Sequence, residues 1–447
     1  MTVTSTPVAP PFSTDFEAVR LSAAGREPEA VARRRQLAAT RFAEVGYPTT
    51  KLEEWRFTNV APLARTVFRR AAGTVPADAE ALLAPHRIPG AIELVFVGGR
   101  LAPSLSRLAG VPDGVLLGSL AAQLAAGRSE VAQALGSRAD VVDNPFVALN
   151  TALFEDGAVL VLPRAVALDP PVHLLFLGAN EEGVPTAAFP RVLLLAGERS
   201  AATVVETYVG RPGDNYLTCA VTELVAGPAA AIDHYKVQRE GLEAFHLATF
   251  ALATGRDSRV SSHSISLGGA LVRHDVRALL DGEGGEANLN GLYMVRGRQL
   301  ADTHMRVDHA KPHCASHELY KGILNEKARA VFNGRIFVHP HAQKTDAKQT
   351  NRNLLLSKEA LVNTNPQLEI FADDVRCTHG STVGQLDADA VFYLRSRGIG
   401  EEAARSILTY AFASDIVERI RVESVRQALR ESLLSWIPHG EVVRDAT

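Results

Sequence analysis

A cysteine and a histidine two residues apart are the pair in this sequence with the clearest chemical potential. Cys377 and His379 lie in residues 365–387, NPQLEIFADDVRCTHGSTVGQLD, where apolar and polar residues alternate as in an extended strand. Side chains two residues apart on an extended chain point to one face, so a thiolate and an imidazole could share a metal or a sulfur intermediate here. The alternative is a buried thiol and a hydrogen-bonded imidazole with structural roles.

The strand that leads to this pair is predicted to be half buried. Its alternation places Leu368, Ile370 and Ala372 on the side of the core. The dipeptide Asn365-Pro366 predicts a turn immediately before the strand. The pair would then follow a strand that is anchored on one face.

Half of the fourteen histidines fall between positions 301 and 380, which invites a metal-site interpretation. The four-residue spacings of His309, His313 and His317 would bring ligands together on a helix. This part of the sequence is instead typical of strands, where residues four apart are separated by roughly 13 Å. A mononuclear zinc enzyme is therefore a poor fit. Nucleotide-binding and hydrolase motifs are missing as well, so any ATP is expected to bind to another subunit.

The composition limits the classes of protein to which this chain could belong. The 447 residues carry a net charge of -3, which provides no basic field for nucleic acid or anionic lipid. Three cysteines lie far apart without a C-x-x-C pair, so neither a disulfide framework nor a zinc finger is expected. The amino terminus, MTVTSTPVAPPF, lacks the pattern of a signal peptide, and the apolar runs are too broken for a membrane span. The sequence therefore predicts a cytoplasmic protein that binds neither membranes nor nucleic acid.

The periodicity of the chain changes twice. Helical and strand patterns mix in the amino-terminal third, and after Pro171 strand-like segments follow one another without crossover helices. This pattern excludes a doubly wound sheet and leaves a sandwich, barrel, propeller or β-solenoid open, although no strict repeat period is visible. After Tyr393 an amphipathic helical pattern returns, with one apolar stripe that either packs on the core of this chain or docks a partner. That stripe consists of Leu408, Phe412, Ile416 and Ile420.

Several long segments carry a family resemblance. They are DTHMRVDHAKPHCASHELYKGIL (302–324), ARAVFNGRIFVHPHAQKTDAKQTNRNLLLS (328–357), PQLEIFADDVRCTHGSTVGQLD (366–387) and FYLRSRGI (392–399). Together they resemble the SufD family over about the last 180 residues. SufD is a subunit of the Suf machinery for iron-sulfur cluster assembly. EEWRFTN, around Trp55, and NTALFEDGAV (150–159) resemble the amino-terminal half of that family.

The resemblance implies a mainly β fold with a right-handed parallel β-helix core. The expected regions are a mostly helical amino-terminal region (1–168), the β-helix (169–391) and a carboxy-terminal helical region (392–447). In a solenoid, Gln349, Asn351 and Asn353 are expected to form side-chain ladders rather than to bind ligands.

The resemblance also implies partners and a role. The chain would be a non-catalytic scaffold that pairs with SufB through the end of the β-helix and docks the SufC ATPase through its carboxy-terminal helices. Leu408, Phe412, Ile416 and Ile420 would then belong to the SufC dock. Cys377 and His379 would lie at the SufB junction as metal ligands, and the chain would hold no stable cofactor but share a transient iron or iron-sulfur cluster with SufB.

Two other functions remain open on the residues alone. One is a free-standing metal-binding β-solenoid that uses the histidine cluster, and the other is a β-helix enzyme that acts on a polysaccharide. The sequence also departs from the family pattern at His317, where arginine is expected, so a role for that part of the chain is not implied.

Overall fold

Two long parallel sheets form the body of the protein. The computed structural model describes residues 12–446, so the first eleven residues of the predicted amino-terminal region lie outside it. The chain runs alternately through one sheet and the other, and about eight turns stack into a parallel β-solenoid. The predicted mainly β solenoid is confirmed, and the sandwich, barrel and propeller alternatives are excluded.

The strands of the described residues are numbered in chain order. They are β1 (Arg69–Arg70), β2 (Ile92–Val97), β3 (Arg100–Leu101), β4 (Leu116–Ser119), β5 (Gly157–Leu162), β6 (Ala167–Gly178), β7 (Thr186–Ala188), β8 (Arg191–Ala196), β9 (Ala201–Gly210), β10 (Tyr216–Ala226), β11 (Ala231–Arg239), β12 (Phe245–Thr254), β13 (Arg259–Ser266), β14 (Leu271–Leu280), β15 (Glu286–Val295), β16 (Leu300–His309), β17 (Ala315–Leu324), β18 (Arg329–Val338), β19 (Asp346–Leu355), β20 (Leu361–Ile370) and β21 (Arg376–Gly384).

The α-helices of the same residues flank the solenoid. They are α1 (Ser13–Ala23), α2 (Glu29–Val45), α3 (Ala61–Arg65), α4 (Ala79–Leu83), α5 (Leu120–Ala125), α6 (Ser129–Ala134), α7 (Pro145–Leu153), α8 (Ala388–Ser396), α9 (Glu401–Val417), α10 (Glu423–Trp436) and α11 (Gly440–Ala446). Within this part of the chain, no helix is both long and apolar enough to cross a bilayer.

The two sheets are built from alternate strands. Sheet A has the hydrogen-bonded order β20-β18-β16-β14-β12-β10-β8-β5-β4, with β7 and β1 beside it. Sheet B has the order β21-β19-β17-β15-β13-β11-β9-β6-β2-β3. The turns differ in length: Phe245 pairs with Leu271, Leu271 with Leu300, and Arg329 with Leu361. These unequal steps explain why the sequence shows no strict repeat.

Alternate residues of the long solenoid strands point inward and form the core. The interior cluster contains, among others, Leu94, Leu174, Val204, Leu224, Leu252, Val276, Val307 and Phe332. The amino-terminal helices pack on the outer face of sheet A through Phe42, Phe146 and Leu217. The carboxy-terminal helices pack on the outer face of sheet B, where Ile416 and Leu429 meet Val237 and Leu292.

The last turn of the solenoid is left uncovered. Strand β20 pairs only with β18, and β21 only with β19, so each has a free edge within the described residues. The turn predicted at Asn365-Pro366 is wrong, because both residues lie inside β20. An edge strand tolerates proline, since one of its sides needs no backbone donor. Ile370, predicted to be buried, is 40% exposed because no further turn covers it, whereas Ala372 is buried as predicted.

Candidate junction site at the open end of the solenoid

The pair Cys377 and His379 lies on β21, the final strand of sheet B. Cys377 is in register with Ala347 and His379 with Gln349, and both β19 residues are buried inside the solenoid. The pair therefore continues two inward-facing columns of side chains. Because β21 is the last strand, Cys377 is only half-buried and His379 is exposed. The two side chains share one face, as predicted, and that face is the open end of the core.

The surroundings of Cys377 keep its thiol protonated. It packs against a small apolar cluster that contains Ile336, Val338, Ala347 and Ala372. Burial raises the pKa of the Cys377 thiol above its ordinary value, and the backbone of Ala347 only partly opposes this shift. The thiolate is the metal ligand and nucleophile, so Cys377 needs a metal ion or a partner cation to become reactive.

A polar column lies beneath His379. Gln349 is the next residue inward, and its Nε2 donates to Oε2 of Glu318 at 2.6 Å. Glu318 lies one further strand inside the solenoid, in register with Gln349. Burial raises the pKa of Glu318 to about 7, against the opposing effect of hydrogen bonds from Gln349 and Ser316. Sequence analysis missed Glu318, although its position between Ser316 and Tyr320 in an alternating strand marks it as an inward-facing carboxyl.

Asn351 and Asn353 of the predicted polar ladder bond to each other within β19 rather than between turns. Asn353 Nδ2 donates to Asn351 Oδ1 at 2.6 Å, and the Tyr293 hydroxyl donates to Asn353 Oδ1. Gln349 instead bonds to Glu318, and its amide occupies the space opposite Gly334. A Cβ at Gly334 would lie 2.4 Å from Gln349 Nε2, so glycine at this position makes room for the amide.

Other histidines of the 301–380 cluster lie in separate environments. His309 is buried and meets Ser316 Oγ at 2.9 Å, and His304 lies between Asp302 and Glu54. His313 is in a turn with a φ of 60°. Within residues 12–446, no three His, Cys, Asp or Glu side chains are placed to hold a metal ion.

An apolar rim lies on the same last turn as the pair. Leu361, Ile370, Phe371 and Val383 are large hydrophobic side chains on the last turn, and all four are exposed. Phe371 also contacts the ring of Phe337, with the centroids 5.2 Å apart. The open end thus combines two free strand edges, an exposed apolar rim and the side chains of Cys377 and His379.

Comparison with known proteins identifies the family of this chain. The family model "SUF system FeS cluster assembly, SufBD core domain" matches residues 176–412, and "SufBD protein N-terminal region" matches residues 12–174. The chain belongs to the SufBD family. It is 35% identical to the iron-sulfur cluster assembly protein SufD of Escherichia coli K12, over 93% of this chain and 94% of that protein. The SufBD family protein slr0076 of Synechocystis is 36% identical over 91% of each chain. Protein ABCI7, chloroplastic, of Arabidopsis thaliana is 28% identical over 89% of this chain and 84% of its own length.

The resemblance to SufD is therefore confirmed. The SufBD chain is a SufD-type protein of iron-sulfur cluster assembly, with matches that extend through the amino-terminal region as well as the solenoid. The family matches do not assign roles to single residues, so the roles of Cys377 and His379 stay predictions.

Three residues of the predicted apolar stripe in this SufBD chain, Phe412, Ile416 and Ile420, pack with residues of its own solenoid. Ile416 and Ile420 are fully buried, and Leu408 and Phe412 are partly buried. Lys321 of β17 donates to the Phe412 carbonyl at 3.0 Å, and its ammonium group lies 4.8 Å from the Phe412 ring centroid. The stripe thus anchors the helices to the solenoid, and a role in docking SufC stays a prediction.

Proposed function

We propose that this chain is a non-catalytic scaffold subunit that pairs with SufB through the open end of its solenoid. The observation that carries the proposal is the uncovered last turn, where the free edges of β20 and β21 frame Cys377 and His379. Exposed strand edges are templates for pairing with another chain, and proteins usually cover or blunt them. A second solenoid end would cover this one.

The rim supports the same partner. Leu361, Ile370, Phe371 and Val383 form an exposed apolar surface beside the edges, and such surfaces mark interaction sites. Strand addition supplies backbone hydrogen bonds, and burial of the rim adds roughly 1.5–3 kcal/mol for each fully covered side chain. A partner with its own open solenoid end and matching apolar residues fits this surface.

Cys377 and His379 would form half of a shared site for iron and sulfide, which are substrates of the assembly reaction. Thiolate and imidazole suit iron, but two ligands leave its coordination incomplete. SufB would supply the remaining ligands and close the site by covering the last turn. The free-standing metal-binding alternative would need a larger set of ligands than this pair provides.

SufC would dock on the outer surface of the carboxy-terminal helices. Phe392 and Tyr393 of α8 are 70% and 58% exposed, respectively, and they lie beyond the buried stripe that fixes α9 to the solenoid. ATP hydrolysis in SufC would then move these helices relative to the last turn, which α8 follows directly in sequence. We place this assembly in the cytoplasm, with no role in binding nucleic acid or membranes.

Co-expression with SufB and SufC tests the proposal. The three chains should co-purify, and the variant Phe371→Asp with Val383→Asp should lose SufB because the rim becomes charged. Leu242→Asp, an exposed residue on a loop away from the last turn, is the control and should retain SufB. Failure of the parent chain to co-purify with either partner would contradict the proposal.

A further inference from the structure

A buried carboxyl group lies two strands inside the open end of the solenoid. His379, Gln349 and Glu318 occupy equivalent register positions on β21, β19 and β17. Adjacent strands are about 4.8 Å apart, so the Glu318 carboxyl lies roughly 10 Å from the plane of the His379-bearing strand. The interval between them contains the neutral amide of Gln349 rather than water-exposed surface, because Gln349 is 1% exposed.

Glu318 differs from other fully buried carboxylates of the solenoid. Glu223 pairs with Arg191, Asp302 with Arg273, and Glu206 with His234. Each of those carboxylates has a basic side chain within hydrogen-bond distance. Within residues 12–446, Glu318 has only neutral hydrogen-bond partners: Gln349 at 2.6 Å and Ser316 at 3.3 Å.

The titratable groups around Glu318 do not supply a cation. His309 reaches the same Ser316 hydroxyl at 2.9 Å, but burial lowers the pKa of His309 to about 4, so its ring is neutral at pH 7. Tyr320 is a titratable side chain that interacts with Glu318, and burial raises the pKa of its phenol. A buried carboxyl without a compensating charge is costly to ionise, so its neutral form is favoured until a positive charge approaches.

We propose that Glu318 is the internal counter-charge for a metal cation held at the Cys377–His379 end of the solenoid. The carboxyl is protonated in a substantial fraction of free chains. When a divalent cation binds at the Cys377–His379 end of the solenoid, Glu318 loses its proton to bulk water. The resulting carboxylate then attracts the cation through the low-dielectric interior. The O–H bond of the carboxyl breaks, its electron pair stays on the carboxylate, and no oxidant or reductant is needed. This inference rests on the proposed function, because it requires a cation at the junction.

The position of Glu318 suits this role better than a direct ligand would. A charge about 10 Å away stabilises a cation without occupying a coordination position, which leaves those positions free for ligands from the partner. Since the interaction passes through the protein interior, salt screens it much less than a charge on the outer surface. Protonation of the carboxyl in the free chain also avoids an uncompensated buried charge before the partner and metal arrive.

The variant Glu318→Gln separates the charge from the hydrogen bonds. Glutamine has the same shape, can accept from Gln349 and can donate to Ser316, so a purely structural role of Glu318 would survive the change. The matched control is Glu369→Gln, which removes a carboxylate on the outer face of β20, on the last turn but 40% exposed in its side chain. An effect of total charge would appear in both variants.

The experiment is a titration of the co-purified complex with Co²⁺, followed by its thiolate-to-metal absorption. At pH 7.5, Glu318→Gln should weaken Co²⁺ binding roughly tenfold, and Glu369→Gln should change it less than twofold. At pH 6, the parent complex should release close to one more proton per bound Co²⁺ than Glu318→Gln, as measured in weak buffer. The proton released by Cys377 is common to both and cancels.

The outcomes distinguish this inference from the proposed function. Equal Co²⁺ affinity and equal proton release in the parent and Glu318→Gln would overturn the role of Glu318 and leave the scaffold function standing. A parent complex that forms but shows no Co²⁺ absorption dependent on Cys377 would overturn the shared metal site and the counter-charge with it. A tenfold loss in Glu369→Gln as well would show a surface effect and would also overturn the proposal.

Discussion

At the scale of single residues, substitution of His379 should impair function without lowering stability. Its ring is exposed and makes no hydrogen bond or ion pair within residues 12–446, so His379→Ala should change the free energy of unfolding by less than about 0.5 kcal/mol. The same change would remove the proposed imidazole ligand at the junction, so cluster assembly by the reconstituted complex should fall severalfold. Cluster yield and co-purification are the measurements. A normal yield would remove His379 from the mechanism, and Cys377→Ser is expected to have a similar or milder effect.

Gly334 tests the packing beneath the site. A methyl group there would lie 2.4 Å from Gln349 Nε2 and 2.6 Å from Gln349 Cδ, so Gly334→Ala must displace the amide from Glu318. We expect a loss of about 1–3 kcal/mol in urea unfolding, as is typical for an overfilled core. Gly380→Ala is the control, because its Cβ would meet nothing within 4 Å. Equal stability of the two variants would show that Gln349 moves at no cost.

At the scale of elements, the carboxy-terminal helices have an anchoring side and an exposed side. Ile416 is fully buried against sheet B, so Ile416→Ala should destabilise the chain by about 2–5 kcal/mol. Phe392 of α8 is 70% exposed, so Phe392→Ala should leave the unfolding free energy nearly unchanged but reduce SufC co-purification. Urea unfolding and affinity capture measure the two effects. If the Phe392→Ala variant still co-purifies with SufC, then SufC docks on another surface.

These elements also show how far the sequence leads. The alternation of apolar and polar residues correctly predicted an extended strand with Cys377 and His379 on one face. It could do so because side-chain direction along a strand depends on local geometry alone. It failed at Ile370 and Pro366, whose burial and pairing depend on whether another turn follows. No local pattern contains that information. The apolar stripe through Ile416 correctly predicted a helix. It did not show whether the stripe packs on the core of this chain or on a partner.

Glu318 illustrates the same limit for the site. Its place in the alternation of β17 marks an inward side chain, but its distance along the chain from His379 hides their stacking. The unequal lengths of the turns prevent a simple repeat from revealing that register. Long family segments compensated for the missing repeat, because they indicated a solenoid where periodicity alone left four architectures open.

At the scale of the whole molecule, the contact between the solenoid and its carboxy-terminal helices is expected to depend on pH. His263 of β13 is buried beneath this contact, and its ring stacks on that of Tyr235 with the centroids 5.2 Å apart. Burial, with the positive charges of Arg419 and Arg421, lowers the pKa of His263 to about 4. The unfolded chain binds this proton near pH 6.5, whereas the folded chain does not. The stabilising effect is therefore present above pH 6.5 and is lost as the pH falls towards 4.

The variant His263→Asn should remove this part of the acid sensitivity, because asparagine does not titrate and can still accept from Ser261, which meets His263 Nε2 at 3.1 Å. Between pH 7.5 and pH 5, the parent should lose about 2 kcal/mol of unfolding free energy more than the variant, from the linkage of one such pKa difference. Urea unfolding at the two pH values measures the difference. His341→Asn is the control, since His341 is exposed, and its loss should match that of the parent. If His263→Asn and the parent lose equal stability, protonation of His263 does not loosen the helices, and the acid sensitivity must come from other buried groups such as His309.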